Sequence, residues 1–260
     1  MNNPTFREYL KSKKSCSGFI VIISLYLAFL TFSAIYWIIN FHLRNLCMSI
    51  GYMLFVPAIF ILEYFLKLRV GAIFTGLLLF IATTSILGSC FNFYTTISFL
   101  DLIQHCVAGV VFAALGFALA NLFFGVSDQK KSFFGCLLFG VFFSLAIATL
   151  WEIFEYSLSF LGFDMMEDTY VNQINSYLLS GSHNQAVNLE NITQTQIIYD
   201  NGKSYVVNGY VDIGLIDTLG DMIICSIGAV VFALVSIISY YKAPGINRAL
   251  IPQLIKNLDK

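Results

Sequence analysis

Charge is scarce in this chain. Only 11% of its 260 residues are Asp, Glu, Lys or Arg, against roughly 25% in an ordinary soluble domain. Scarce charge excludes a disordered chain, which stays unfolded because it is polar and strongly charged. The 14 basic and 15 acidic residues leave a formal net charge of −1, and no stripe of Lys or Arg marks a nucleic-acid surface. No nucleic-acid partner is expected. The six cysteines (Cys16, Cys47, Cys90, Cys106, Cys136 and Cys225) contain no C-x-x-C pair. Five of them fall in or at the ends of apolar runs, so they read as thiols packed between helices rather than as a disulfide framework or a metal cage. There is also no Gly-rich phosphate loop, no Gly-x-Ser-x-Gly elbow and no internal repeat of the kind that builds many transporters.

What the chain has instead is apolar surface. Hydrophobic residues make up 58% of it, Phe alone contributes 26, and the mean hydropathy is +0.79. A soluble fold of this length has too little interior to hide that much. The composition therefore excludes a soluble enzyme and a secreted disulfide-rich domain, and implies a polytopic membrane protein. A spanning helix needs about 20 mostly apolar residues. Six segments qualify: Gly18–Asn40, Leu46–Leu66, Val70–Cys90, Ser98–Phe124, Ser132–Leu161 and Gly214–Tyr241. The first follows Lys11, Lys13 and Lys14 but is too long for a signal-peptide core and lacks a small-x-small cleavage site, so it reads as a retained helix. The expected fold is an all-α polytopic membrane bundle of six helices, residues 1–260 forming one integral membrane domain.

Orientation follows from Lys and Arg. With the N-terminus inside, the inner segments hold twelve of them: Arg7, Lys11, Lys13, Lys14, Lys67, Arg69, Lys130, Lys131, Lys242, Arg248, Lys256 and Lys260. The outer segments hold two, Arg44 and Lys203. Both termini are expected in the cytoplasm, and the long connection 162–213 outside. In that loop insert, Gln196–Tyr199 and Ser204–Val207 flank Asp200-Asn201-Gly202-Lys203, an Asn-Gly pair between two β-prone runs and so a hairpin signal. The insert reads either as a lid over a site or as a passive loop. Asn191-Ile192-Thr193 matches a glycosylation acceptor. The cytoplasmic tail 244–260 carries Leu250, Ile251, Leu254, Ile255 and Leu258 at helical spacing, which suits a helix resting on the inner membrane surface.

Ionisable residues inside spanning helices are costly and mark function by default. Among the first three segments only Glu63 stands out. It lies four residues before Lys67, and that spacing reads as an end-of-helix ion pair. The last three segments each carry a pair: Asp101 and His105 (i,i+4), Glu152 and Glu155 (i,i+3), Asp217 and Asp221 (i,i+4). Each spacing puts both side chains on one helix face. At about 1.5 Å per residue all six lie within roughly 5–15 Å of the outer ends of their helices. The same faces continue inward through small residues: Gly109, Ala113, Gly116 and Ala120; Ser144 and Ala148; Cys225 and Gly228. Small residues at this spacing mark close helix packing in membranes, so the acidic faces are expected to meet in a three-helix junction.

Five carboxylates and one imidazole cannot all be charged together in low dielectric without compensation. Protonated acids in a relay, a purely structural hydrogen-bonded network, or a metal cation would each supply it, and the metal is the favoured answer. Carboxylates with one histidine suit Mg²⁺, Mn²⁺, Fe²⁺ or Zn²⁺. Six such side chains have the capacity for two ions about 3.5–4 Å apart. Asp101, His105, Glu152, Glu155, Asp217 and Asp221 are therefore the candidate metal ligands, with Glu155 and Glu152 as candidate catalytic carboxylates. Asp164, Glu167 and Asp168 follow the fifth segment and read as a solvated loop start. His42 and His183 are lone loop histidines.

The order Asp101-x-x-x-His105, Trp151-Glu152-x-x-Glu155, Asp217-Thr218-x-x-Asp221 with Gly228 seven residues on resembles the YjdF-like family of bacterial integral membrane proteins, to which no reaction is assigned. The likeness covers the last three segments. A more distant similarity is to VanZ-like membrane proteins, which have an Asp/His pair, a Glu-x-x-Gln and an Asp before a glycine-containing helix; here Glu155 stands in place of the Gln. The resemblance implies that the three pairs belong to one feature. Three functions fit. One is a metal-dependent membrane enzyme acting near the outer leaflet on a lipid or envelope-linked substrate. The others are a cation- or proton-coupled transporter and a non-catalytic accessory or resistance protein.

Overall fold

The computed structural model describes residues 6, 9, 17–97, 99–124, 129–159, 170–176, 178–181, 185–212 and 214–254. Its helices are α1 (Ser17–Ile39), α2 (Leu43–Met53), α3 (Phe55–Leu66), α4 (Ala72–Phe91), α5 (Phe93–Thr96), α6 (Leu100–Phe124), α7 (Gln129–Ser159), α8 (Leu215–Lys242) and α9 (Pro244–Leu250). Among the described residues, six spans are long and apolar enough to cross a membrane, with α2 and α3 together making the second. A helix satisfies its own backbone groups, which is why apolar runs of this length fold as helices in lipid. The step between α2 and α3 at Leu54 has a local cause. Pro57 has no N–H to offer the carbonyl of Met53, and its ring crowds that carbonyl. The ladder is carried past the gap by Leu54 N–H to the Gly51 carbonyl at 3.0 Å and Ala58 N–H to the Leu54 carbonyl at 3.1 Å.

The chain divides into two compact units, Met1–Thr149 with Ile223–Lys260, and Leu150–Met222. In the first, α1 packs on α2 and α4, and α4 packs on α6. Leu30, Tyr26, Val56, Leu79 and Ile86 form one buried cluster. It is tied by two buried polar contacts: the Ser33 and Ser49 hydroxyls share a hydrogen bond of 2.8 Å, and the Tyr26 hydroxyl donates to the Tyr52 carbonyl at 2.9 Å. A second cluster gathers Phe74, Val111, Ala114, Phe117, Phe133 and Phe232. Large apolar side chains such as Leu25, Phe65, Phe142 and Ile238 stay exposed. On a spanning helix such residues face hydrocarbon, so their exposure carries no penalty.

Two sequence expectations change here. Glu63 does not pair with Lys67 as an uninterrupted helix would require. The helix ends at Leu66, and Lys67 turns left-handed at φ 53°. The buried Glu63 carboxylate accepts the Val70 amide at 3.4 Å, and Arg69 is a cation that acts on it among the described residues. The tail is helical only over α9. Pro252 interrupts the helical spacing, since proline lacks the amide that continuation needs. The chain then runs into strand β8 (Gln253–Leu254), which pairs antiparallel with β1 (Leu68–Arg69) between α3 and α4. Leu250 and Ile251 are buried with Leu68, Val70 and Phe74. Asn247 fastens the turn, its amide to the Ser239 hydroxyl at 3.0 Å and its side-chain N–H to the Ser236 carbonyl at 2.9 Å. Residues 255–260, which include Ile255 and Leu258, lie outside the described residues.

Among its described residues the second unit has three short antiparallel ribbons: β2 (Tyr170–Val171) with β7 (Tyr210–Val211), β3 (Ile174–Ser176) with β4 (Val187–Leu189), and β5 (Thr195–Tyr199) with β6 (Lys203–Val207). The β5–β6 pair is the hairpin expected from Asn201-Gly202. Asp200, Asn201 and Gly202 all adopt positive φ, which Asn, Asp and Gly tolerate best. Lys203 Nζ donates to Asp200 Oδ2 at 2.7 Å across the turn.

Candidate functional site

The seam expected from the small residues is present in the first unit. A Cβ on Gly109 would run into the Cys225 carbonyl oxygen, and one on Gly228 into the Cys106 carbonyl oxygen. The two contacts are reciprocal, so α6 and α8 meet backbone to backbone at this level. Helix α7 joins the seam at Gly140, where a Cβ would meet the Ala113 carbonyl. The Ser144 hydroxyl donates to the Gly109 carbonyl at 3.1 Å and lies 3.8 Å from Cys225 Sγ. Only residues with almost no side chain allow such approach, and in lipid this packing holds helices together.

One turn before Gly109 comes His105, and one turn earlier Asp101. His105 Nε2 lies 3.7 Å from Asp101 Oδ1. The His105 side chain is 9% exposed and that of Asp101 35%, so the pair runs from an open end to a buried one. Beside it is a polar chain that the sequence reading missed. The Tyr94 hydroxyl donates to Gln104 Oε1 at 2.9 Å, and Gln104 Nε2 donates to the Ser85 hydroxyl at 3.3 Å. A side chain at Gly88 would collide with the Tyr94 ring. Burial, and then the Asp101 carboxylate, raise the pKa of the Tyr94 phenol, so it stays a hydrogen-bond donor. A buried Gln next to the only histidine of a spanning segment was the available signal.

In the second unit Glu152 and Glu155, one turn apart on α7, are both buried, as is Asp221 on α8; Asp217 is half-buried. The buried Thr218 hydroxyl has no hydrogen-bond partner among the described residues. Asp101 and His105 in the first unit, and Glu152, Glu155, Asp217 and Asp221 in the second, are side chains of the kind that ligate a metal ion. Asp164, Glu167, Asp168 and His183 lie outside the described residues, and His42 precedes α2 without a side-chain capping bond, its ring against Trp37.

A family model described as predicted membrane protein (DUF2238) matches residues 18–242. No curated protein and no solved structure matches the chain.

Proposed function

The chain belongs to the family of predicted membrane proteins DUF2238, and on that premise we propose that it is a divalent-metal enzyme of the membrane, acting on a lipid or envelope-linked substrate. The observation that carries this reading is the Asp101–His105 pair on α6, 3.7 Å apart with the histidine buried, to which Asp221, buried on α8, would add a second carboxylate. Two carboxylates and one imidazole suit Mg²⁺, Mn²⁺, Fe²⁺ or Zn²⁺. Three protein ligands leave a coordination position for water or substrate, the arrangement of catalytic rather than structural sites. The set of three suits one ion, not the two that six side chains would accommodate. A bound cation also answers the charge problem, because α6 carries no Lys or Arg and the one on α8, Lys242, lies at the far end from Asp221.

The ion would supply Lewis acidity toward a bound water or an ester oxygen. Asp101 and His105 would hold it from α6 and Asp221 from α8. Glu155 would take the proton of the attacking water as general base, with Glu152 beside it on the same face. The backbone seam inward of His105 supports a closed site over a transport path, since Gly109 and Gly228 leave no gap between α6 and α8. The similarity to VanZ-like proteins belongs to this reading as a shared order of acidic and histidine positions. Both termini are assigned to the cytoplasm and the 162–213 insert to the outer side, on the Lys and Arg bias alone.

The test is elemental analysis of the purified, detergent-solubilised protein beside Asp101→Asn/Asp221→Asn. About one equivalent of metal in the wild type, lost in the variant, is the expected result. No metal in the wild type after supply of Mn²⁺ and Zn²⁺ sinks the reading. Proton- or cation-coupled flux in proteoliposomes that disappears with Asp221→Asn would then make it a transporter. Loss of stability alone would leave an accessory protein.

A further inference from the structure

The loop insert carries an open groove of about 740 Å³, along which Asn172, Gln173, Thr193 and Asn208 are exposed. It uses none of the six acidic and histidine positions. Its floor is fixed backbone. The Ile192 amide donates to the Asn172 carbonyl at 2.7 Å, and the Gly209 amide to the Thr193 carbonyl at 3.0 Å. These bonds stitch the 192–193 segment to both sides of the β2–β7 ribbon. Gly209 sits at φ 91°, where a side chain would be strained and would press on the Val171 carbonyl.

The walls carry Asn172, Gln173, Thr193 and Asn208, with the Tyr170 ring at the rim, 63% exposed. Among the described residues, these four polar side chains make no hydrogen bond within the protein. Three amides and a hydroxyl therefore present donors and acceptors together, all unspent. Among the described residues the lining carries no charge, which suits an uncharged ligand, and the scarcity of large aliphatic walls argues against an acyl chain.

We propose that this groove is a binding site for a neutral carbohydrate. A sugar ring is uncharged, dense in hydroxyls that both donate and accept, and carries a C–H face that stacks on an aromatic ring. Asn172, Gln173, Thr193 and Asn208 meet the hydroxyls, and Tyr170 meets the C–H face.

The test uses the full chain in lipid nanodiscs. The probes are the tetrasaccharides of N-acetylglucosamine and of glucose, with a sulfated disaccharide as the charged control. Saturation-transfer NMR and titration follow binding. At least one neutral probe is expected to bind saturably, and the sulfated one not to bind. Asn172→Ala/Asn208→Ala is expected to weaken binding by about tenfold or more, the loss of one or two hydrogen bonds. Tyr170→Ala removes the stacking face, whereas Tyr170→Phe keeps it and retains binding. Should the double variant lose the wild-type melting profile, Gln173→Ala at an exposed position replaces it. Binding of neither neutral probe, binding of the sulfated probe as tightly, or variants that bind like the wild type would each overturn the proposal. The metal content of the wild type is a separate readout that none of these outcomes moves.

Discussion

Gly109 and Gly228 each stand where one methyl group has no room, because each faces a carbonyl oxygen of the partner helix. Gly109→Val and Gly228→Val are expected to destabilise the detergent-solubilised protein by roughly 2–3 kcal/mol, an overpacking cost. Gly18→Ala, which meets nothing within 4 Å, should leave melting unchanged. Tyr94→Phe removes the bond to Gln104 and is expected to cost about 1 kcal/mol at neutral pH. That penalty has a pH signature. The folded pKa of Tyr94 is raised, so the bond's contribution is complete below the unfolded value of about 10 and is lost as pH rises past it. Melting of the two proteins should converge in that alkaline window. Such detail was only partly legible in sequence. The small residues named the seam, but the i,i+4 pairing of Glu63 with Lys67 presupposed a helix that stops one residue short of it.

At the scale of elements, hydropathy located every span to within a few residues, because helix length in lipid is set by the thickness of hydrocarbon. The β5–β6 hairpin was equally legible, since the backbone of Asn201-Gly202 suits positive φ and its neighbours are β-branched or aromatic. The tail was not. Leu250, Ile251 and Leu254 suit a helix face or an extended strand, and only Pro252 spoke against the helix. Removing residues 244–260 uncovers Leu68, Val70 and Phe74, which Leu250 and Ile251 cover. The truncated protein is expected to melt several degrees lower and to lose amide protection at 68–71, measurable by hydrogen exchange. Unchanged protection there would mean that the β1–β8 pairing contributes nothing.

For the whole molecule, spacing nominates six ligands, and how far it can place them is set by tolerances. Spacing places a side chain on a helix to about one turn, roughly 5 Å. Metal ligation requires about 2 Å and a particular rotation of each helix about its axis. Sequence spacing sets neither that rotation nor the choice of Asp221 over Asp217. It does settle which end of each helix bears the charge. The orientation assigned from Lys and Arg is open to direct measurement. Cysteine introduced at Asn201 in a cysteine-free background should label with a membrane-impermeant maleimide from outside intact cells, and cysteine at Gly245 only after lysis. The reverse pattern would place the loop insert in the cytoplasm.

The β1–β8 ribbon also dictates an order of assembly. Leu68 and Arg69 are made before four of the six spans, while their partners Gln253 and Leu254 leave the ribosome only after all six. Until then the connection between the second and third spans keeps an open strand edge and an uncovered apolar floor. A chain cut short by a premature stop has every span it needs to insert, yet still displays that edge. Quality-control proteases could therefore distinguish a finished molecule from a nearly finished one by this short ribbon alone.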